Sequence, residues 1–372
     1  MTAVLVSAAL NGNATAAVGL VAPGLTRVHS GGPGLLVDPN TRIPGLVAAK
    51  TPRAELSVRR DPRARAHIDA LEAKLRSAHD ARAPANVVVG IALGLLGLLA
   101  LASRWALLAR AAVFYAPAAI GLGLAWRSAL AIGLGALVLA LVAAVPRRAF
   151  VPLLLLVFAG ALLLLWQWPV TNSLATIGPH PDGGHRFYGL TNQVSTMLLA
   201  PALAAGLVGA PLALLMVGWS KAGADGGGLV VYAVGYSLLA LRAHGGLTWR
   251  RALVAVGIVV AGAAAFVAVD AATGGSSHVT HALGTGLPGD LAHRWHVSYD
   301  GVTRSIGAFV MFASGIALLV LVARARPRPR AVEALLAALL VSFVVNDTPT
   351  DVALWGALGA IALLAVERNR VR

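Results

Sequence analysis

Phe150-Val151-Pro152-Leu153-Leu154-Leu155-Leu156-Val157-Phe158-Ala159-Gly160-Ala161-Leu162-Leu163-Leu164-Leu165-Trp166-Gln167-Trp168 follows directly on Arg147 and Arg148. The run carries no charge and has the length that a bilayer core of about 30 Å asks of an α-helix, roughly 20 residues. A soluble domain rarely holds so long an uncharged stretch, and this one is repeated along the chain. Comparable runs cover 86–103, 105–125, 128–145, 193–208, 210–222, 226–242, 252–270, 305–323, 331–346 and 350–366. They predict an all-α, polytopic transmembrane bundle of about ten to eleven spans, occupying 86–372.

Composition agrees. Apolar residues make up 58% of the chain and charged residues only 12%, half the share usual in soluble domains. The apolar mass is Leu, Ala, Val and Gly, and small residues let helix backbones approach closely in lipid. The formal charge of +15 sits in short clusters between apolar runs, the pattern of cytoplasmic loops and not of a nucleic-acid surface. Cysteine is absent, which excludes disulfides, thiolate nucleophiles and Cys-ligated metals.

Charge also orients the chain. Arg368, Arg370 and Arg372, the run Arg324, Arg326, Arg328 and Arg330, then Arg242, Arg250 and Arg251, and Arg147 with Arg148 all belong on the cytoplasmic side. Arg148 and Arg242 share a side only if an even number of crossings separates them. The short runs 193–208 and 210–222 are therefore expected to form a tight hairpin turning at Gly209, Ala210 and Pro211, which makes four. The protein is expected in the plasma membrane, with its N-terminal region outside and its C-terminus inside. Asp182, Asp225, Asp270, Asp290, Asp300, Asp347 and Asp351 then fall on or near the outer face, as do His180, His185, His278, His281, His293 and His296.

Residues 1–85 read as an extramembrane region. The first apolar stretch lacks a basic leader and is broken at Asn11, Gly12 and Asn13, so insertion is expected through later spans or within a longer chain. Gly31 to Pro44 reads as turns. From 62 to 83 an amphipathic helix is expected, with Ile68, Leu71, Leu75 and Ala78 on one face and Glu72 paired with Arg76, ended by Pro84 just before the membrane.

Polar clusters at the ends of apolar runs mark candidate sites. His185-Arg186-Phe187-Tyr188-Gly189-Leu190-Thr191-Asn192-Gln193 offers a planar donor fork in Arg186 for phosphate or carboxylate, with Tyr188 and Asn192 to orient a head group. The competing reading is an interfacial anchor. Lys221 to Gly228 is a Gly-rich turn at a helix start in which Asp225 serves as a cap or a cation ligand, and it lacks a P-loop ending. His278-Val279-Thr280-His281 and His293-Arg294-Trp295-His296 offer ligands for a metal with Asp290 or Asp300, or a general base in His278 or His281 beside Asp270. Polar loops also accumulate such histidines without binding anything, and no metal site is assigned. In Asn346-Asp347-Thr348-Pro349-Thr350-Asp351, Thr348 or Thr350 can cap the last helix, while Asp347 needs a partner such as Arg186, Arg294 or Arg304.

The expected site combines Arg186, Tyr188, Asn192, Asp225 and Arg294 as substrate-binding residues with His278 and Asp347 as catalytic ones. Its substrate would be an anionic lipid-linked molecule. A transporter or flippase and a non-catalytic scaffold are the rival expectations.

In the order Arg186-Phe187-Tyr188-Gly189-Leu190-Thr191-Asn192, Gly223-Ala224-Asp225-Gly226-Gly227, Ser277-His278 and Asn346-Asp347, the region 86–372 resembles a family of uncharacterised bacterial multispan proteins of the actinobacterial type. Longer members carry an alkaline-phosphatase-like extracytoplasmic domain before the membrane half. Gly34 to Val47, Gly-Leu-Leu-Val-Asp-Pro-Asn-Thr-Arg-Ile-Pro-Gly-Leu-Val, resembles the tail of such a domain. The resemblance implies a cell-envelope setting and marks the outer polar motifs, and on the scaffold reading the partner is an extracytoplasmic phosphatase-like protein. It carries over no hydrolase activity, because 85 residues are too few for that fold and bring no metal-ligand set. The Arg-x-Tyr-Gly-x-x-Asn piece also resembles membrane enzymes that ligate or polymerise lipid-linked glycans.

Overall fold

The computed structural model describes residues 18–22, 24–29, 34–49, 51–183, 186–243, 248–272 and 287–370. A small β-sheet leads into a bundle of helices. Its strands are β1 (Val18–Ala22), β2 (Thr26–His29), β3 (Gly34–Val37), β4 (Leu46–Ala48) and β5 (Ser57–Arg60). β1 pairs antiparallel with β2 and parallel with β3 and β4, while β5 closes antiparallel on β3. The expectation of turns between Gly31 and Pro44 therefore needs correction at 34–37, which is a strand. Turns do follow it, gathered around the fully buried Asp38. Its carboxylate accepts from the Asn40 and Ala48 amides, each at 2.8 Å, and from the Thr51 hydroxyl at 2.7 Å. Strands of three to five residues are too short to show the period-two alternation by which a strand is read.

Helix α1 (Ala64–Ser103) is continuous through Pro84, against the expected break. A proline interior to a helix removes one backbone hydrogen bond and costs about 3 kcal/mol. Here a buried stripe on both sides of it offsets that cost: Ile68, Leu71, Leu75 and Ala78 before, Ala85, Val89, Leu93 and Leu96 after. The first half of the stripe packs not on lipid but on the sheet, in a core with Val18, Leu20, Leu35, Ile43 and Leu46. Glu72 does pair with Arg76, at 2.8 Å, and Arg27 of β2 joins them.

The bundle continues as α2 (Ala106–Gly123), α3 (Ala129–Ala144), α4 (Phe150–Gln167), the single turn α5 (Pro169–Ser173), α6 (Asn192–Ala204), α7 (Ala210–Gly218), α8 (Gly226–Ala243), α9 (Trp249–Ala272), α10 (Leu287–Thr303), α11 (Ile306–Arg324), α12 (Arg330–Val345) and α13 (Pro349–Arg370). Every apolar run identified in the sequence is a helix. Among the described residues six helical segments are long and apolar enough to cross a membrane: Ala64–Ser103, Ala106–Gly123, Arg147–Gln167, Gly226–Ala243, Ile306–Arg324 and Pro349–Arg370. α13 is buried almost all round, as befits a helix without a polar face. Its close neighbours depend on small residues: a Cβ at Gly315 of α11 would lie 2.5 Å from the Ala353 backbone.

Side-chain contacts sort the helix ends into two faces. Asn192 at the start of α6 meets Asp347 just before α13, and Ala204 at the end of α6 accepts from Arg370 at the end of α13. These two helices therefore run side by side in one direction. Tyr232 and Tyr236 of α8 donate to the Ser195 and Ala202 carbonyls, so α8 runs the same way. Arg242, Arg328 and Glu333 meet on the far face, with Arg110 on the Ala144 carbonyl. The expected hairpin exists: the Leu190 amide, entering α6, donates to the Gly223 carbonyl, beyond the end of α7, at 2.8 Å. Its turn lies slightly earlier than expected, from Gly206 (φ 74°) through Leu207–Gly209, because Pro211 sits in the first turn of α7.

Candidate functional site

The site gathers at the rim of this hairpin, on the face that also carries the sheet. Thr191 caps α6 by accepting from the Val194 amide, which fixes the approach of the segment 186–191. That segment turns at Gly189, whose φ is +78° and whose Cβ, if present, would overlap the Gly223 carbonyl. Asn172 donates to the Gly189 carbonyl at 2.7 Å from a buried position. The loop is thus held against the Gly-rich turn by backbone contact.

Asp225 caps α8. Its Oδ1 accepts from the Gly228 amide at 3.0 Å, and its own amide donates to Val217. Its Oδ2 is buried and has no hydrogen-bond partner among the described residues. Arg186 approaches from the loop, with Nη2 at 3.4 Å from the Ala224 carbonyl and 4.0 Å from Asp225 Oδ1. Its Nη1 is likewise buried and unpartnered. A buried group left without a partner typically costs 1–3 kcal/mol, more when charged, so such a pair is an expensive feature to maintain.

A second pair lies alongside. Asn192 Nδ2 donates to Asp347 Oδ1 at 2.8 Å, so among the described residues the partner of Asp347 is an amide. Gly227 lies between Asp225 and Asn346, the neighbour of Asp347 in the chain: a Cβ there would lie 2.7 Å from Asn346 Oδ1 and 3.8 Å from Asp225 Oδ1. The Thr348 hydroxyl is buried and has no partner among the described residues, so it does not cap α13 there. Beneath, Gln193 of α6 donates to Asn86 of α1 at 2.8 Å.

The sheet reaches over the rim. Arg42, in the turn before β4, donates from Nη1 to the Ser220 carbonyl at 3.0 Å, and its guanidinium stacks on Tyr188. A further link runs through Asp182, which His79 contacts at 2.6 Å and Arg82 at 3.4 Å, while the Gly24 amide donates to its carbonyl. Burial alone would raise the Asp182 pKa, but His79 and Arg82 together bring it below the ordinary carboxylate value.

Of the expected site residues, Arg186, Tyr188, Asn192, Asp225 and Asp347 come together on one face. His278 lies outside the described residues, as do His185 and His281. Arg294 belongs to α10, and its side chain is not among those described. His296, once a ligand candidate, lies 3.5 Å from Asp300 on an exposed helix face. Sequence reading missed Arg42, Asn172, Asn86 with Gln193, and the His79–Asp182 link. Only Arg42 carried a signal, as the lone cation between His29 and Lys50. Comparison with protein-family models, with curated proteins and with solved structures gives no match.

Proposed function

We propose that this integral membrane protein belongs to the cell envelope and uses the rim around Arg186 and Asp225 to bind an anionic, lipid-linked substrate such as a polyprenyl phosphate or a glycan carried on one. The observation behind this reading is the Arg186–Asp225 pair, which keeps one buried donor and one buried acceptor unpartnered. A ligand that satisfies both needs an anionic oxygen beside a hydroxyl, the combination found where phosphate meets sugar. In this reading Arg186, joined by Arg294, holds the phosphate, Tyr188 and Asn192 orient the head group, and Asp347 or His278 serves as general base. Positive residues on the opposite face favour an outward-facing site, with the C-terminus in the cytoplasm.

Native mass spectrometry of the protein taken from its own membranes tests this. The wild type is expected to retain a polyprenyl-phosphate species that Arg186→Ala loses; equal retention by the variant removes Arg186 from the site.

A transporter is the second reading, favoured by the hairpin itself. α6 and α7 have 13 and 9 residues, hence lengths of about 20 and 14 Å, short of a core of about 30 Å. Short, interrupted helices often line substrate paths. Cysteines introduced along α6 on this Cys-free background would be labelled from both sides by a transporter and from one side by a binding site.

A further inference from the structure

On the face opposite the rim, the ends of three elements converge around a cavity of about 570 Å³. Arg104 closes α1, Arg326 and Arg328 stand with Pro327 and Pro329 between α11 and α12, and Arg368 and Asn369 end α13. Ala100, Leu101 and Ala365 supply an apolar wall.

Charge balance in this cavity is one-sided. Glu333 is shared between Arg242 at 2.8 Å and Arg328 at 3.6 Å, and Glu367 pairs with Arg370. Among the described residues no carboxylate lies within ion-pair distance of Arg104, Arg326 or Arg368. Arg326 spends Nη1 on the Ala323 and Ala325 carbonyls, and Arg328 spends its own on Ala323. Cations near helix C-termini are favourable at isolated positions. That effect does not by itself gather four of them from three elements into one concavity, where their summed positive field favours an anion between them.

We infer that this concavity is a binding site for the phosphate group of an anionic ligand, held by Arg104, Arg326, Arg328 and Arg368. Guanidinium forks match phosphate oxygens in geometry, and basic pockets between membrane helices accept anionic headgroups. The apolar wall formed by Ala100, Leu101 and Ala365 gives a phospholipid's glycerol and upper acyl carbons somewhere to lie. The site is on the other face from the rim and does not depend on the reading proposed there.

Arginine-specific dicarbonyl labelling of the full-length protein in nanodiscs, mapped by mass spectrometry, tests it. Arg147 and Arg148, basic residues of the same face outside the cavity, serve as references. In discs containing phosphatidylglycerol, Arg104 and Arg368 are expected to react about fivefold more slowly, relative to the references, than in phosphatidylcholine discs. The same protection in phosphatidylcholine discs on adding inorganic phosphate also supports the site and makes a soluble phosphate its source. Equal slowing at Arg147 and Arg104, or no slowing with either phosphate, overturns it. Combining Arg104→Gln with Arg368→Gln is expected to cut phosphatidylglycerol retention in native mass spectrometry about 25-fold, at about fivefold per arginine. If that variant does not fold, the labelling of the unaltered protein decides alone.

Discussion

The guanidinium of Arg42 lies 3.7 Å from the centroid of the Tyr188 ring, clamping the N-terminal sheet onto the rim of the α6–α7 hairpin. A cation on an aromatic face contributes about 0.5–1 kcal/mol where partly exposed, and the hydrogen bond to Ser220 adds about 1 kcal/mol. Arg42→Ala is expected to weaken this docking by about 1–2 kcal/mol in total. Hydrogen exchange should show faster exchange across 34–48 with the bundle unchanged; unchanged protection would mean that the apolar core beneath the sheet holds it without the clamp.

Gly189→Ala brings two costs at once, a positive φ and an overlap with the Gly223 carbonyl. Gly24 has a similar φ of +87° and open space around its Cα. The strain of a positive φ is about 1 kcal/mol for alanine, so Gly24→Ala should lower the melting temperature slightly and Gly189→Ala several times more. Equal shifts would show that the loop gives way at no cost.

The Asp182 link makes sheet docking sensitive to acid. Burial opposes ionisation of this carboxyl, and contacts with His79 and Arg82 more than compensate, so its folded pKa lies below the unfolded value of 3.8. A depressed folded pKa contributes stability that is present above the unfolded value and lost as pH falls through the folded one. Protection of the β1–β2 amides should therefore fall as pH drops below about 4. Asp182→Asn should flatten that part of the profile, and a profile identical to wild type would rule this link out as the cause.

Asn192→Ala removes the one hydrogen bond that Asp347 receives within the described residues. Leaving a partly buried carboxylate without a donor costs about 1–3 kcal/mol. A double-mutant cycle with Asp347→Asn, read from thermal unfolding in detergent, should give a coupling of about 1 kcal/mol or more. Additive effects would show that the pair is not coupled.

Much of this architecture was legible in one dimension. Apolar runs are counted directly, and each is a helix because hydrocarbon tolerates no unpaired backbone. The even crossing count between Arg148 and Arg242 anticipated the hairpin, since a charge cluster reports its side of the membrane without reference to any contact. Arg186, Asn192, Asp225 and Asp347 stood out for a similar reason: polar residues closing an apolar run are conspicuous. The sheet was not legible, because its strands are too short to alternate visibly, and Pro84 misled because the packing that carries α1 past it comes from residues far away in sequence.

Sequence by itself thus determined the helical class, the positions of the runs and the segregation of charge to two faces, all local properties of composition and length. Tertiary structure alone decided which polar groups meet. Arg42 reaches Ser220 across 178 positions, Asn192 reaches Asp347 across 155, and His79 reaches Asp182 across 103. No local pattern encodes such pairs, because a hydrogen bond depends on a few tenths of an ångström set by the packing of whole helices.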